Sequence, residues 1–202
     1  MVNAAIALRT RGFASAWLGR APRWSLAAGG LALALVWWGK AFYSHASAED
    51  LRPLLAPTAG LVSWVTGGQF VYEQGAGWLS REYTFLIAPV CAGMNFALAA
   101  FLALVAGALP SFASARAVLA RLAIYAGVAY VATVLVNAAR ISLAIALHQG
   151  VIQLDGLSAG EVHRAEGIAV YLVGLCALFA AAQRVEQAVA RRGRAGGRAV
   201  AA

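Results

Sequence analysis

The chain has 202 residues, of which 62% are apolar and 12% charged, with a net charge of +8. Soluble domains carry about 25% charged and about 45–50% apolar residues, so this composition excludes an ordinary water-soluble core and points to a surface that faces lipid. The basic residues fall between and beyond apolar runs with almost no aromatic interleaving, which is the positive-inside pattern of a membrane protein; nucleic acid is excluded as a partner and the lipid bilayer takes its place.

Residues 1–23 carry Arg9, Arg11, Arg20 and Arg23 among Phe13, Trp17 and Leu18. They read as a basic amphipathic segment lying on the membrane. Residues 24–43 supply about 20 apolar positions, enough to cross the hydrocarbon core, and Lys40 lies close enough to the end to snorkel. A cleaved signal peptide is the rival, because Ala46-Ser47-Ala48 has the A-x-A form; the apolar run exceeds the roughly 7–15 residues of a signal core, so an uncleaved span is expected. Residues 49–66 contain Pro53 and Pro57, which argues against a straight spanning helix and for a short helix on the outer surface. Residues 67–87 place aromatic and β-branched residues on both sides of Gln74-Gly75-Ala76-Gly77, a β-hairpin signal.

From Tyr83 to Ala115 there are 33 residues without a charge. The second span is expected there, at about 88–109, with Ala99, Ala103 and Gly107 at a four-residue spacing that permits close helix packing. Arg116 and Arg121 mark a basic loop. Residues 122–139 form the third span, whose helix runs on through 141–148. A loop at 155–161 and a fourth span at 162–183 follow, then a tail with Arg184, Arg191, Arg192, Arg194 and Arg198. The expected organisation is a basic segment (1–23), a membrane-embedded catalytic domain (24–185) and a basic cytoplasmic tail (186–202). The fold class is an all-α integral membrane protein, a bundle of about four transmembrane helices with a small extracytoplasmic β-hairpin.

Charge fixes the orientation. The N-terminal segment, the 116–121 loop and the tail hold eleven of the sixteen basic residues and one acid, Glu186. Four spans put these three regions on one side, the cytoplasmic one, with both chain ends inside.

Three polar residues then share one level. Cys91 opens the second span from outside. Arg140 lies about 20 residues into the third span, about 30 Å or one hydrocarbon thickness from the inner face. His163 opens the fourth span from outside. A thiolate is a nucleophile, an imidazole can take the thiol proton and return it to a leaving amine, and a guanidinium can stabilise a thiolate or an oxyanion. Each also has a plainer reading: a small buried apolar residue for Cys91, a snorkelling charge for Arg140, an interfacial side chain for His163. Their joint placement favours chemistry. Cys176, among Leu and Ala in mid-span, reads as a packing residue, and His148 and His45 lack a comparable partner, His148 being the reserve candidate. With two cysteines, no CxxC and no His cluster, neither a disulfide framework nor a metal site is indicated, and no cofactor is expected. A rhomboid-type serine site and a metalloprotease site are likewise unsupported, as neither G-x-S-x-G nor H-E-x-x-H occurs.

The local sequences carry a resemblance. Cys91-Ala92-Gly93-Met94-Asn95 resembles the C-[AS]-G-[IM]-N motif of the exosortase/archaeosortase family, Asn137-Ala138-Ala139-Arg140 its N-x-x-R motif, and His163 to Gly167 its H-x-x-x-G motif. The resemblance covers roughly residues 50–185 and is closest to a compact bacterial subtype, the one called exosortase K. It implies a plasma (inner) membrane enzyme with Cys91, Arg140 and His163 as its catalytic residues and an active site facing outside. It also implies substrate proteins that end in a sorting signal: a short Pro-Glu-Pro-type motif, a transmembrane helix and a basic tail. Gly93, Asn95, Asn137 and Gly167 are supporting residues, with a purely structural polar contact as the alternative for each asparagine. The competing function is a non-enzymatic multi-pass protein, a transporter subunit or assembly factor in which Arg140 is structural.

The orientation is testable with reporter fusions after Gly75, Ala115, Ser158 and Ala202. The expected pattern is outside, inside, outside, inside; a cytoplasmic signal at Ser158 would overturn both the topology and the shared outer site.

Overall fold

The computed structural model describes residues 23–109, 112–149 and 159–200. The expected amphipathic segment, residues 1–22, and most of the 155–161 loop lie outside the described residues. Five α-helices and three short strands follow in the order α1 (Arg23–Tyr43), α2 (Arg52–Thr66), β1 (Val71–Glu73), β2 (Gly77–Ser80), β3 (Phe85–Ile87), α3 (Met94–Ala108), α4 (Ala115–His148) and α5 (Ala159–Val200). Among the described residues four segments are long and apolar enough to cross a membrane: Arg23–Tyr43, Pro89–Ala108, Ala115–His148 and Arg164–Val189. The chain is therefore a mostly helical multi-pass membrane protein with a small sheet.

Helix α2 has 15 residues, about 22 Å at about 1.5 Å per residue, too short to cross the roughly 30 Å core upright. Pro53 sits in its first turn and Pro57 lies inside it. Pro57 has no N–H to offer the Pro53 carbonyl one turn back; the Tyr130 hydroxyl of α4 donates to that carbonyl instead, at 2.8 Å. The missing helical bond is thus replaced by a contact to the bundle, and α2 continues through its proline. Leu54, Leu55, Thr58, Ala59 and Val62 form its buried face.

The hairpin is part of a three-stranded antiparallel meander, β1-β2-β3. Tyr72 pairs with Trp78, and Trp78 with Ile87. The third strand is too short, and too close to the apolar run that follows, for its pattern to separate from the second span. The sheet is fastened to the α1–α2 turn by Glu49, whose Oε1 accepts from the Tyr72 hydroxyl at 2.7 Å and the Gly75 N–H at 3.0 Å. These donors hold the exposed Glu49 carboxyl below its ordinary range.

Two apolar cores result. One joins α1, α3 and α4 around Ala28, Ala100, Phe101, Leu104, Phe112 and Leu122, with Tyr171, Leu175 and Leu178 of α5 packed against it. The other joins α2, the sheet and the outer half of α4 around Leu55, Val62, Trp78, Ile87, Ile141 and Ile145. Glycines set the helix spacing. A Cβ at Gly39 of α1 would lie 3.0 Å from Leu98 of α3, one at Gly107 would lie 2.5 Å from Gln183 of α5, and one at Gly174 would lie 2.8 Å from both methyls of Val136. The four-residue small spacing in α3 thus serves a close approach at Gly107. Cys176 departs from its expected packing role: it is exposed on α5, on the side turned away from the bundle. Lys40 also departs from a free snorkelling charge, since its Nζ donates to Asn95 Oδ1 at 2.7 Å.

Because Val136 is fixed on α4 and no rotation of its two methyls clears position 174, Gly174→Leu is expected to push α4 and α5 apart. A loss of about 1–3 kcal/mol is expected, read as a lower unfolding midpoint in detergent, whereas Gly127→Ala, with nothing within 4 Å of its Cβ position, holds or slightly raises that midpoint.

Candidate functional site

Sheet and span are joined by a short irregular segment. Ala88 is extended, Pro89–Cys91 make one 3-10 turn, and Gly93 adopts φ +70° immediately before α3. Cys91 therefore sits on a turn ahead of α3, one step outside the regular helix that its expected position would have opened. Gly93 is required there twice. A side chain is strained at that φ, and a Cβ would lie 3.1 Å from Thr133 and 3.2 Å from Asn137. The absence of a side chain lets the turn lie directly against α4.

Asn137 is fully buried on α4, one turn beyond the buried Thr133. Its Nδ2 donates to the Cys91 carbonyl and its Oδ1 accepts from the Tyr171 hydroxyl of α5 at 2.9 Å. The Tyr171 oxygen accepts in turn from Arg140 Nη1 at 3.3 Å. The Arg140 guanidinium also lies over the Tyr171 ring, 5.3 Å from its centroid, a contact that contributes about 0.5–2 kcal/mol. Phe96 of α3 packs on that same ring at 5.3 Å. Gly167 of α5 makes room for the arginine: a Cβ there would lie 3.2 Å from Arg140 Nε. Three hydrogen bonds thus connect Arg140, Tyr171, Asn137 and Cys91, and Gly167 leaves the space the arginine occupies.

Three of these groups, Arg140, Gly167 and Tyr171, border a cleft of about 470 Å³ that is also lined by Tyr43, Val90, Gly93, Met94, Asn95, Arg164 and Ile168. Cys91 lies between the lining residues Val90 and Gly93. It is half-buried against the outer core, within electrostatic reach of Tyr43 and Tyr171. Its N–H donates to the Ala88 carbonyl at 2.8 Å. Asn95, expected as a supporting residue with a structural polar contact as the alternative, lines the cleft and accepts from Lys40. His163 falls in the first turns of α5, four residues before Gly167 and so on the same face of the helix; its side chain lies outside the described residues. His45 and His148 are exposed and do not line the cleft.

Two participants were not singled out from the sequence. Tyr171 reads there as one more aromatic in an apolar span. Glu166, 8% exposed, lies within electrostatic range of Arg140 although it sits inside the third motif. The available signal was spacing: Glu166, Gly167 and Tyr171 share a face with His163 at three-, four- and eight-residue steps. Among the described residues no group of three or more His, Cys, Asp or Glu could hold a metal ion. What the arrangement offers is a half-buried thiol on a braced turn whose neighbours Val90 and Gly93 line the cleft that the Arg140 side chain borders.

The chain matches no curated protein and no solved structure. It does match the family model described as Transmembrane exosortase (Exosortase_EpsH) over residues 3–180, which spans all three motifs and every element bordering the cleft. The chain belongs to the transmembrane exosortase family.

Proposed function

We propose that the protein is a cysteine peptidase or transpeptidase that removes a C-terminal sorting signal from membrane-anchored substrates at the outer face of the plasma membrane. The observation that supports this reading most is the convergence, on one cleft, of the Cys91 turn, Arg140 and the N-terminal turns of α5 that carry His163 and Gly167. These segments, whose candidate residues lie 49 and 23 positions apart in sequence, border one cleft at the level that the charge pattern assigns to the outer membrane surface.

In this mechanism His163 takes the Cys91 proton, and the thiolate attacks the scissile carbonyl carbon. Arg140 stabilises the oxyanion that develops. The C–N bond breaks as His163 returns the proton to the leaving amine, and a thioester to Cys91 remains. Water or an acceptor amine then attacks the thioester carbonyl, and the thiol is regenerated. A substrate whose basic tail stays inside is held by the positive-inside bias, and its motif reaches the level of Cys91 from outside. The competing reading, a non-enzymatic membrane protein with a structural arginine, gives no reason for a braced turn at Cys91 beside an open cleft.

Co-expression with a tagged substrate bearing motif, transmembrane helix and basic tail tests the reading. Cys91→Ala is expected to abolish cleavage and Cys176→Ala to leave it unchanged, because Cys176 is exposed away from the cleft. Arg140→Lys is expected to insert and fold but to lose at least about 100-fold in rate, since a lysine keeps the charge without the planar fork. Undiminished cleavage by Cys91→Ala would overturn the reading.

Depth supplies a second test. Three residues added to the substrate helix move its motif by about 5 Å, and deletion of the basic tail removes its anchor. Both changes are expected to reduce the cleaved fraction in an immunoblot series; cleavage indifferent to both would remove the idea that the bilayer sets the register.

A further inference from the structure

We propose that Tyr171 is a positioning residue of this site, one that holds Arg140 and the Cys91 turn in a fixed relation; the inference rests on the proposed peptidase reading. The chemistry of the groups fixes the direction of every bond. The Cys91 carbonyl can only accept, so Asn137 presents its NH₂ to it. Asn137 Oδ1 can only accept, so the Tyr171 hydroxyl donates to it. The Tyr171 oxygen is left to accept from Arg140, which can only donate. The result is one directed chain, from Arg140 through Tyr171 and Asn137 to Cys91, crossing α5 in its middle.

No other described side chain combines these contacts. Tyr171 supplies a hydroxyl to two site residues and a ring face to a third contact, with Arg140 on the ring and Phe96 packed against it. Removal of the hydroxyl leaves Asn137 Oδ1 without its donor and Arg140 without its acceptor, while the ring, the burial and the helix packing stay as they are. Tyr171→Phe therefore removes the two hydrogen bonds while keeping the packing. The Cys91 turn, braced by Asn137 alone, is then freer to open, and the guanidinium is freer to leave the direction in which an oxyanion would meet it.

The experiment uses the full chain in membranes, with Cys176→Ala as background so that Cys91 is the single thiol. Tyr171→Phe is expected to insert and fold, with an unfolding midpoint lowered by the unpaired Asn137 Oδ1 but less than by Tyr171→Leu. Its cleavage of the tagged substrate is expected to fall about 10- to 100-fold through kcat, with KM unchanged. In the Arg140→Lys background the same substitution is expected to cost less than about twofold more, because both act on one chain of bonds. Without substrate, alkylation of Cys91 by N-ethylmaleimide is expected to speed up about fivefold, the factor that corresponds to one net hydrogen bond. Wild-type cleavage by Tyr171→Phe, or a loss that multiplies in full onto Arg140→Lys, would overturn the proposal. Should the unmodified chain cleave no more than Cys91→Ala, the peptidase reading fails; the alkylation arm still decides the role of Tyr171, since an unchanged rate removes it. Tyr171→Leu, which also loses the ring, is expected to exceed Tyr171→Phe in both effects, and equal effects would confine the role to the hydroxyl.

Discussion

A guanidinium held inside an apolar helix bundle is the constraint on which this structure depends. An ionisable group at membrane depth is costly unless the protein provides partners for it. Among the described residues Arg140 meets that requirement from α5: the Tyr171 hydroxyl and ring face, the nearby carboxyl of Glu166, and the gap left by Gly167. The pairing of α4 with α5 at this level is consequently polar, whereas further in it is made by apolar contacts and by the Val136–Gly174 approach. The remaining face of the arginine looks into the cleft. Arg140 thus borders the cleft with partners on α5 already in place.

The two cores explain how that geometry is kept. The α1–α3–α4 core ends near Phe96 and Tyr171, and the outer core ends near Ala92 and Cys91. The site occupies the seam. Each core positions one half of it, and Asn137, reaching from α4 to both, joins the halves. At the inner end of the bundle the helices are tied again by polar bonds, Ser25 to the Leu109 carbonyl and Tyr125 to Glu186. The middle of the bundle needs no such ties, since the lipid already accepts its apolar exterior.

Much of this was legible in the sequence because the membrane simplifies the code. Long uncharged runs marked the spans, and a charge near a span end made Arg140 conspicuous. What stayed hidden depended on which way a residue faces. Cys176 and Tyr171 lie in the same span with similar neighbours; one is exposed toward lipid and the other is bound to Arg140 and Asn137. A uniformly apolar helix has too little amphipathic contrast to separate those faces. Likewise Asn95 and Asn137 both flank the site by spacing, but the break at Gly93 rotates α3 relative to the Cys91 turn. Asn95 therefore meets Lys40, and Asn137 alone reaches the turn. The third strand was hidden for a different reason, since three residues running into a spanning segment carry no alternation to detect.

The turn at Ala88–Gly93 shows why an asparagine belongs at position 137. Non-helical backbone at the edge of the hydrocarbon region leaves polar groups that lipid cannot satisfy, so it is tolerated only where protein supplies partners or a cavity admits water. The segment supplies some of its own: the Cys91 N–H donates to Ala88 and the Ala92 N–H to Pro89. The Cys91 carbonyl is met by Asn137 from the opposite helix. A regular helix through this region would satisfy every one of these groups without help. It would also direct the Cys91 thiol by the helical repeat and leave no room for the cleft beside it. The irregular turn is thus compatible with membrane depth because α4 carries a buried amide. That amide keeps its orientation because α5 returns a hydroxyl to it, so the edge of the Cys91 turn is fixed by residues more than forty positions away.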